Sequence, residues 1–307
     1  MSFEAYLQDK LFNVGFVRNK LIDDLSFLYK EFQSLDHITL SRWVNGNTEP
    51  SILKQLLVCN YFNDSILDYY SNHFNKLTTS KILNAKKRKF FIETGSRYSN
   101  DIYQIDNKFH CFLEKSNLER NKALFSGVYK RFAISKKCTE VIDKYKHINN
   151  GSVIIYESDN MGNISSHMII SHNKPIEMIR EARRFLGFYD IAINSAFSDV
   201  SHFRNEAVFD FFVGVLAIYF IKNNLVLSDF FFFTRHKDLV FIDELLGAKQ
   251  ISNTIKNGCD NIYPMKISVL KFLSSPFVIS QAVNVINNNN FNPDNLIFET
   301  LKKINLN

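Results

Sequence analysis

Apolar residues recur three and four positions apart through the first quarter of the chain. Phe3, Tyr6, Leu7 and Leu11 form one stripe, and Leu21, Ile22, Leu25, Leu28, Tyr29 and Phe32 form a second. That period predicts amphipathic helices. Asp36 stands where an N-cap belongs, ahead of a helix that runs to Val44. Asn45-Gly46 ends it, because both residues tolerate positive φ. Pro50-Ser51 opens a helix through Ile52, Leu53, Leu56, Leu57 and Phe62, and Asn63-Asp64 caps a last one with Ile66, Leu67, Tyr70, Phe74 and Leu77. Five short helices are therefore expected in residues 1–77.

The texture changes afterwards. Residues 78–120 are polar and mixed, a linker or the start of a second domain, and hold the basic run Lys86-Lys87-Arg88-Lys89. Residues 121–276 read mainly as strands. "SVIIYESDNMGNISSHMIIS" is a hairpin pattern around the turn-rich Asp159–Asn163. "PIEMIREARRFL" is a short amphipathic helix, while "FYDIAINSAF", "FFVGVLAIYFI", "LVLSDFFFFT" and "MKISVLKFLS" read as strands. Residues 277–307, with Asn287–Asn290, read as a peripheral tail. The expected fold is α+β in two domains: an all-α five-helix unit, then a mainly antiparallel β unit with a few helices.

With 307 residues, 46% hydrophobic and 22% charged, the chain can bury a sizeable core, which argues against global disorder. Cys59, Cys111, Cys138 and Cys259 are scattered without a CxxC or Cys/His cluster, so structural zinc is not expected and a reducing, cytoplasmic setting is. The longest apolar run, Phe211–Ile221, falls short of the roughly 20 residues a bilayer span needs, so no membrane partner is expected. A net charge of +6 permits an anionic partner without requiring one.

Residues 36–62 divide as a helix-turn-helix needs. Leu35, Leu40 and Trp43 can face inward, while His37, Ile38, Ser41 and Arg42 face outward within two turns of the N-cap. The run Ser41-Arg42-Trp43, the Gly-containing turn Val44–Glu49 and Pro50-Ser51 resemble the lambda-repressor-like (Cro/CI, XRE-type) helix-turn-helix domain of bacterial and phage regulators. The resemblance covers about residues 16–77. It implies base-facing roles for His37, Ile38, Ser41 and Arg42, and phosphate contacts from Thr39, Asn45 and Asn47. Lys86, Lys87, Arg88 and Lys89 are placed to reach phosphates beside that domain. The function this implies is a transcriptional regulator on double-stranded DNA, acting as a homodimer, with a small-molecule or protein effector at the C-terminal unit.

Other chemistry is sparse. His167 and His172 lie an odd number of residues apart, which on a strand points them to opposite faces. His202 and Glu206 fall at i,i+4 and suit a structural pair on a helix. No cleavage site with a downstream Ser and Lys pair marks self-processing. Acetyltransferases of the GNAT class hold the diphosphate of coenzyme A with a Gly-rich turn opening a helix, and no such turn occurs. The expectation is accordingly a non-enzymatic chain without a cofactor. A protein-interaction module and a helix-turn-helix protein fused to an acyltransferase-like enzyme stand as alternatives. The four consecutive phenylalanines of "LSDFFFFTRHKD" require cover on both faces, as a central strand or as the wall of an apolar cavity.

Overall fold

A computed structural model of the chain describes residues 2–13, 15–74, 77, 79–98, 110–115, 140, 151–158, 164–172, 195–257, 260–287 and 302–305. The fold is mixed α+β, with helices in the N-terminal part and a mostly antiparallel sheet in the C-terminal region.

The N-terminal helices are α1 (Phe3–Gln8, extended by a π-turn over Asp9–Asn13), α2 (Arg18–Leu28), α3 (His37–Val44), α4 (Ile52–Tyr61) and α5 (Ile66–His73). Their caps follow the sequence. The Asp36 carboxylate accepts the Thr39 N–H at 2.6 Å, and the Ser65 hydroxyl accepts the Asp68 N–H at 3.2 Å. At the end of α3, Gly46 sits at φ +68°, where a Cβ would be strained. Gly46 N–H reaches Trp43 O at 3.2 Å and Asn47 N–H reaches Arg42 O at 2.9 Å, which is the Schellman pattern. The turn into α4 is fastened by Gln55, whose Nε2 donates to Pro50 O at 2.9 Å while its Oε1 accepts from the Tyr69 hydroxyl at 2.8 Å.

Helix α6 (Lys81–Tyr98) leads to β1 (His110–Lys115), β2 (Gly151–Ser158) and β3 (Ile164–His172). Next come β4 (Ala196–Val200), α7 (Glu206–Lys222), β5 (Asp229–Thr234), α8 (Lys237–Leu245), β6 (Lys249–Gln250), β7 (Ile255–Asn257) and β8 (Asp260–Ser268). Helices α9 (Val269–Leu273) and α10 (Pro276–Asn287) and strand β9 (Lys302–Asn305) follow. The strand order is β6-β8-β5-β4-β3-β2-β1-β9, with β7 also on β8. Among the described residues β4 and β5 form the parallel pair, and the other pairings are antiparallel.

Two strand assignments from the sequence change. Phe211–Ile221 is helical, inside α7. A continuous apolar run has no period to separate strand from helix, and its length favours helix. Asn205 caps α7 by accepting the Val208 N–H at 3.0 Å. α7 is buried on nearly every side because it is walled in by the sheet and by α10, and such a helix shows no polar stripe. "MKISVLKFLS" splits between the end of β8 and α9, and "FYDIAINSAF" is described only from Ser195, where β4 follows. The expected helix at 175–186 and the turn at 159–163 lie outside the described residues. The described parts of 277–307 are no peripheral tail. Helix α10 buries Phe277, Val278, Ile279, Ala282 and Val285, and β9 pairs with β1.

The two halves share one apolar cluster, running from Phe3 to Val285. The buried Tyr70 hydroxyl donates to Leu273 O at 2.6 Å, tying α5 to α9. No described helix is long and apolar enough to cross a membrane.

Candidate functional site

The α3 residues singled out by sequence share one surface. His37, Ile38, Arg42, Asn45 and Asn47 are exposed, and Thr39 and Ser41 are half-buried. Leu40, Trp43 and Val44 occupy the opposite, buried face. Trp43 meets Phe3 and Phe32 edge-on, each at 6.3 Å between ring centroids, with the Lys54 ammonium 5.9 Å from its ring. The Asp36 carboxyl is held below its ordinary range by the Thr39 N–H. Asn45 Nδ2 donates to Ser41 Oγ at 3.4 Å, so those two side chains form a pair along the surface. The connection from α2 to α3, Tyr29–Asp36, contains a 3-10 turn at Lys30–Phe32 and is longer than the 3–4 residues of a compact helix-turn-helix.

The basic run does not act as a unit. Lys86, Arg88 and Lys89 are exposed, with Lys86 Nζ 5.1 Å from the Phe241 ring and Lys89 paired to Glu93 at 3.6 Å. Lys87 is corrected as a phosphate contact. It is 2% exposed, and its ammonium donates to Asp210 Oδ1 at 2.5 Å and Oδ2 at 2.7 Å. Glu206 stands 3.3 Å away and the Phe277 ring 4.4 Å away. A lysine on this face of α6 points at α7, and burial obliges it to find a carboxylate. Burial also raises the Asp210 carboxyl above its ordinary value, against the opposing pull of Lys87.

His202 and Glu206 do not share a helix face. His202 precedes α7 and exchanges both backbone hydrogen bonds with His167, while its Nδ1 accepts from Arg235 Nη2 at 3.1 Å. Glu206 turns to Lys87. His172, buried, contacts the Tyr219 hydroxyl through Nδ1. Among the described residues no cluster of His, Cys, Asp or Glu suits a metal ion.

A second site lies where the sheet changes direction. β4 and β5 run parallel and pair only at Ala196–Phe230, Phe197–Phe231 and Val200–Phe233, with the register slipping between Phe197 and Val200. The irregularity interrupts the ladder between the two strands. Helix α7 crosses from the end of β4 to the start of β5, so the two strands and the helix make one β-α-β unit. A cavity of about 60 Å³ opens here, walled by Met168, Phe209, Val213, Phe230 and Phe232. Ser198, Ser201, Thr234 and Asp243 are its polar residues. Asp243 is buried, and its Oδ2 accepts from the Thr234 hydroxyl at 2.6 Å. Burial pushes its carboxyl up to about 7, the range in which a proton acceptor works at neutral pH.

The sequence pattern leaves the Phe230–Phe233 cavity open as an alternative and does not single out Asp243. The signal for Asp243 is an acidic residue in step with Val240 and Leu246 on the apolar face of α8.

The raised Asp243 pKa gives a stability prediction. An unfolded carboxyl titrates near 3.8, and the folded one at about 7. Between those values the folded chain keeps a proton the unfolded chain has lost, so stability falls as pH rises through that window and levels off above it. Asp243→Asn, which keeps an acceptor for Thr234, should flatten this slope. By pH 8 it should have gained on the parent by up to about 1.4 kcal/mol for each pH unit of the window crossed. Urea unfolding at pH 5 and pH 8 measures it, and identical pH slopes for both proteins would refute a raised carboxyl.

No protein-family model and no curated protein sequence matches the chain. Among solved structures it is similar to the spermidine/spermine N-acetyltransferase SpeG from Vibrio cholerae, at 12% identity and a TM-score of 0.33, over 55% of this chain and 98% of that one. A chimera of that enzyme gives 14%, 0.32, 53% and 98%. The CoA-dependent acyl-homoserine lactone synthase MesI gives 15%, 0.29, 56% and 93%. Beside these neighbours, two of them N-acetyltransferases and one an acyl-homoserine lactone synthase, the expectation of a non-enzymatic chain is withdrawn. The similarity assigns no substrate and no residue roles.

Proposed function

We propose that the C-terminal sheet carries an acyl-transfer site where the β4–β5 ladder is interrupted. The observation that supports it is the irregular parallel pair beside α7, with a mainly apolar cavity next to the Asp243 carboxyl, which burial pushes up to about 7. At roughly 10–15 Å³ per water, the cavity has room for about five water molecules, the scale of a short acyl group. Met168, Phe209 and Phe230 would hold the acyl chain and exclude water. Asp243, ionised, would take the proton from an amine or hydroxyl as it attacks the acyl carbonyl; the carbonyl–sulfur bond then breaks, and the departing thiolate takes up that proton and leaves as free thiol. The test is calorimetric binding of S-acetyl-N-acetylcysteamine, a short acyl thioester, to the parent and to Val213→Phe, which fills the cavity from α7. Binding by the parent and loss of at least tenfold in the variant is expected, and equal affinities would refute the cavity as the site.

The N-terminal helices support a second reading, contact with DNA through α3. A dimer would then address half-sites about 34 Å apart. The supporting observation is the row of exposed His37, Ile38 and Arg42 with half-buried Ser41, on a helix anchored from behind by Trp43. Arg42→Ala should lower discrimination between the preferred duplex and a random one by about 5–150-fold, the worth of one bidentate arginine–guanine contact, with the fold unchanged. Fluorescence anisotropy across a salt series measures this. Unchanged site preference in the variant, or no salt-dependent binding by the parent, would remove the assignment.

A further inference from the structure

The start of α7, which follows a strand and a turn, is the kind of helix N-terminus that receives a diphosphate where first-turn N–H groups are free and the backbone can be approached closely. In this chain one of those first-turn groups is already taken. Asn205 Oδ1 accepts the Val208 N–H at 3.0 Å. One residue earlier, the Arg204 N–H donates to Ser166 Oγ at 2.9 Å. The connection Ser201–Asn205 contains no glycine, so every residue in it carries a Cβ that keeps an incoming diphosphate away from the backbone. Glu206 adds a carboxylate in the first turn and Asp210 another one turn on.

The nearby cations offset this incompletely. Lys87 is buried against Asp210 and Glu206. Arg235 lies along the connection, its Nη2 3.1 Å from His202 Nδ1 and 3.5 Å from Ser201 O. Arg204 also belongs to the connection. The residues present therefore suit the acyl end of a thioester and not the diphosphate of coenzyme A.

We propose that this site, on the acyl-transfer reading above, recognises its donor by the acyl group and thioester arm alone, with no diphosphate subsite at the α7 N-terminus. The donor class is an acyl thioester whose recognised part ends at the arm.

Calorimetric titration of the full chain with acetyl-CoA, with S-acetyl-N-acetylcysteamine and with ADP tests this. The expected result is that the two thioesters bind within about threefold of each other and that ADP neither binds nor competes. The double variant Asn205→Ala, Glu206→Gln, which frees an amide and removes the first-turn carboxylate, should shift the preference toward acetyl-CoA by about tenfold. Acetyl-CoA binding thirtyfold tighter than the short thioester, with ADP competing, would overturn the proposal while leaving the acyl-transfer site standing. Failure of both thioesters to bind would overturn the acyl-transfer reading and this proposal with it.

Discussion

Gly214→Ala is expected to destabilise the protein by about 3 kcal/mol, the upper part of the range for overpacking, and Gly214→Val to prevent cooperative folding. In an isolated helix the first change would help, because alanine is favoured over glycine by about 1 kcal/mol in a helix interior. The sign is reversed by what lies opposite. A Cβ on Gly214 would stand 2.5 Å from Gln281 O and 2.7 Å from Val285 Cγ2, both on α10. The first is backbone of a packed helix and cannot swing aside as a side-chain tip would. Relief requires α10 to move off α7, and α10 carries the buried Phe277, Val278 and Ile279 with it. Urea denaturation gives the comparison. An alanine variant as stable as its parent would mean that α7 and α10 do not cross at Gly214.

Trp43→Ala is expected to cost about 3–5 kcal/mol, the range for removing a large aromatic side chain from a core. Trp43 is 5% exposed and joins three elements, touching Phe3 of α1, Phe32 before α3, and the Lys54 ammonium on α4. Its neighbour Arg42 is exposed and packs against none of these, so Arg42→Ala should unfold with the parent's midpoint. The contrast between adjacent positions separates the peg that holds α3 from the surface α3 presents. A loss below 1 kcal/mol at Trp43 would place that side chain outside the core.

The helical half was readable because its signals are local. Asp36, Gly46 and the stripe through Leu21, Ile22 and Leu25 act within a turn or two of themselves, and the structure places a cap, a positive-φ turn and a buried face where they indicate. The C-terminal half was harder because its decisive partners are distant in sequence. Lys87 looks like one of four equivalent cations until Asp210, 123 residues away, turns it inward. Phe211–Ile221 is apolar on every side, so its pattern does not distinguish helix from strand, and only burial from several directions explains that uniformity. The Asn-rich composition after Ile286 disguised the continuation of the fold through α10 and β9. Where β4 meets β5, the pairing of Ala196 with Phe230 and the slip after Phe197 are long-range events with no local marker, so the carboxyl of Asp243 had no visible context.

The most direct measurement of the central claim is release of free thiol from S-acetyl-N-acetylcysteamine in the presence of a panel of small primary amines, comparing the full chain with Val213→Phe and Asp243→Asn. An acyl-transfer site between β4 and β5 predicts amine-dependent thiol release by the parent that rises with pH through about 7, is lost in Val213→Phe, and loses that pH dependence together with most of its rate in Asp243→Asn. Thiol release no faster than in buffer across the panel, or equal release by all three proteins, would contradict it.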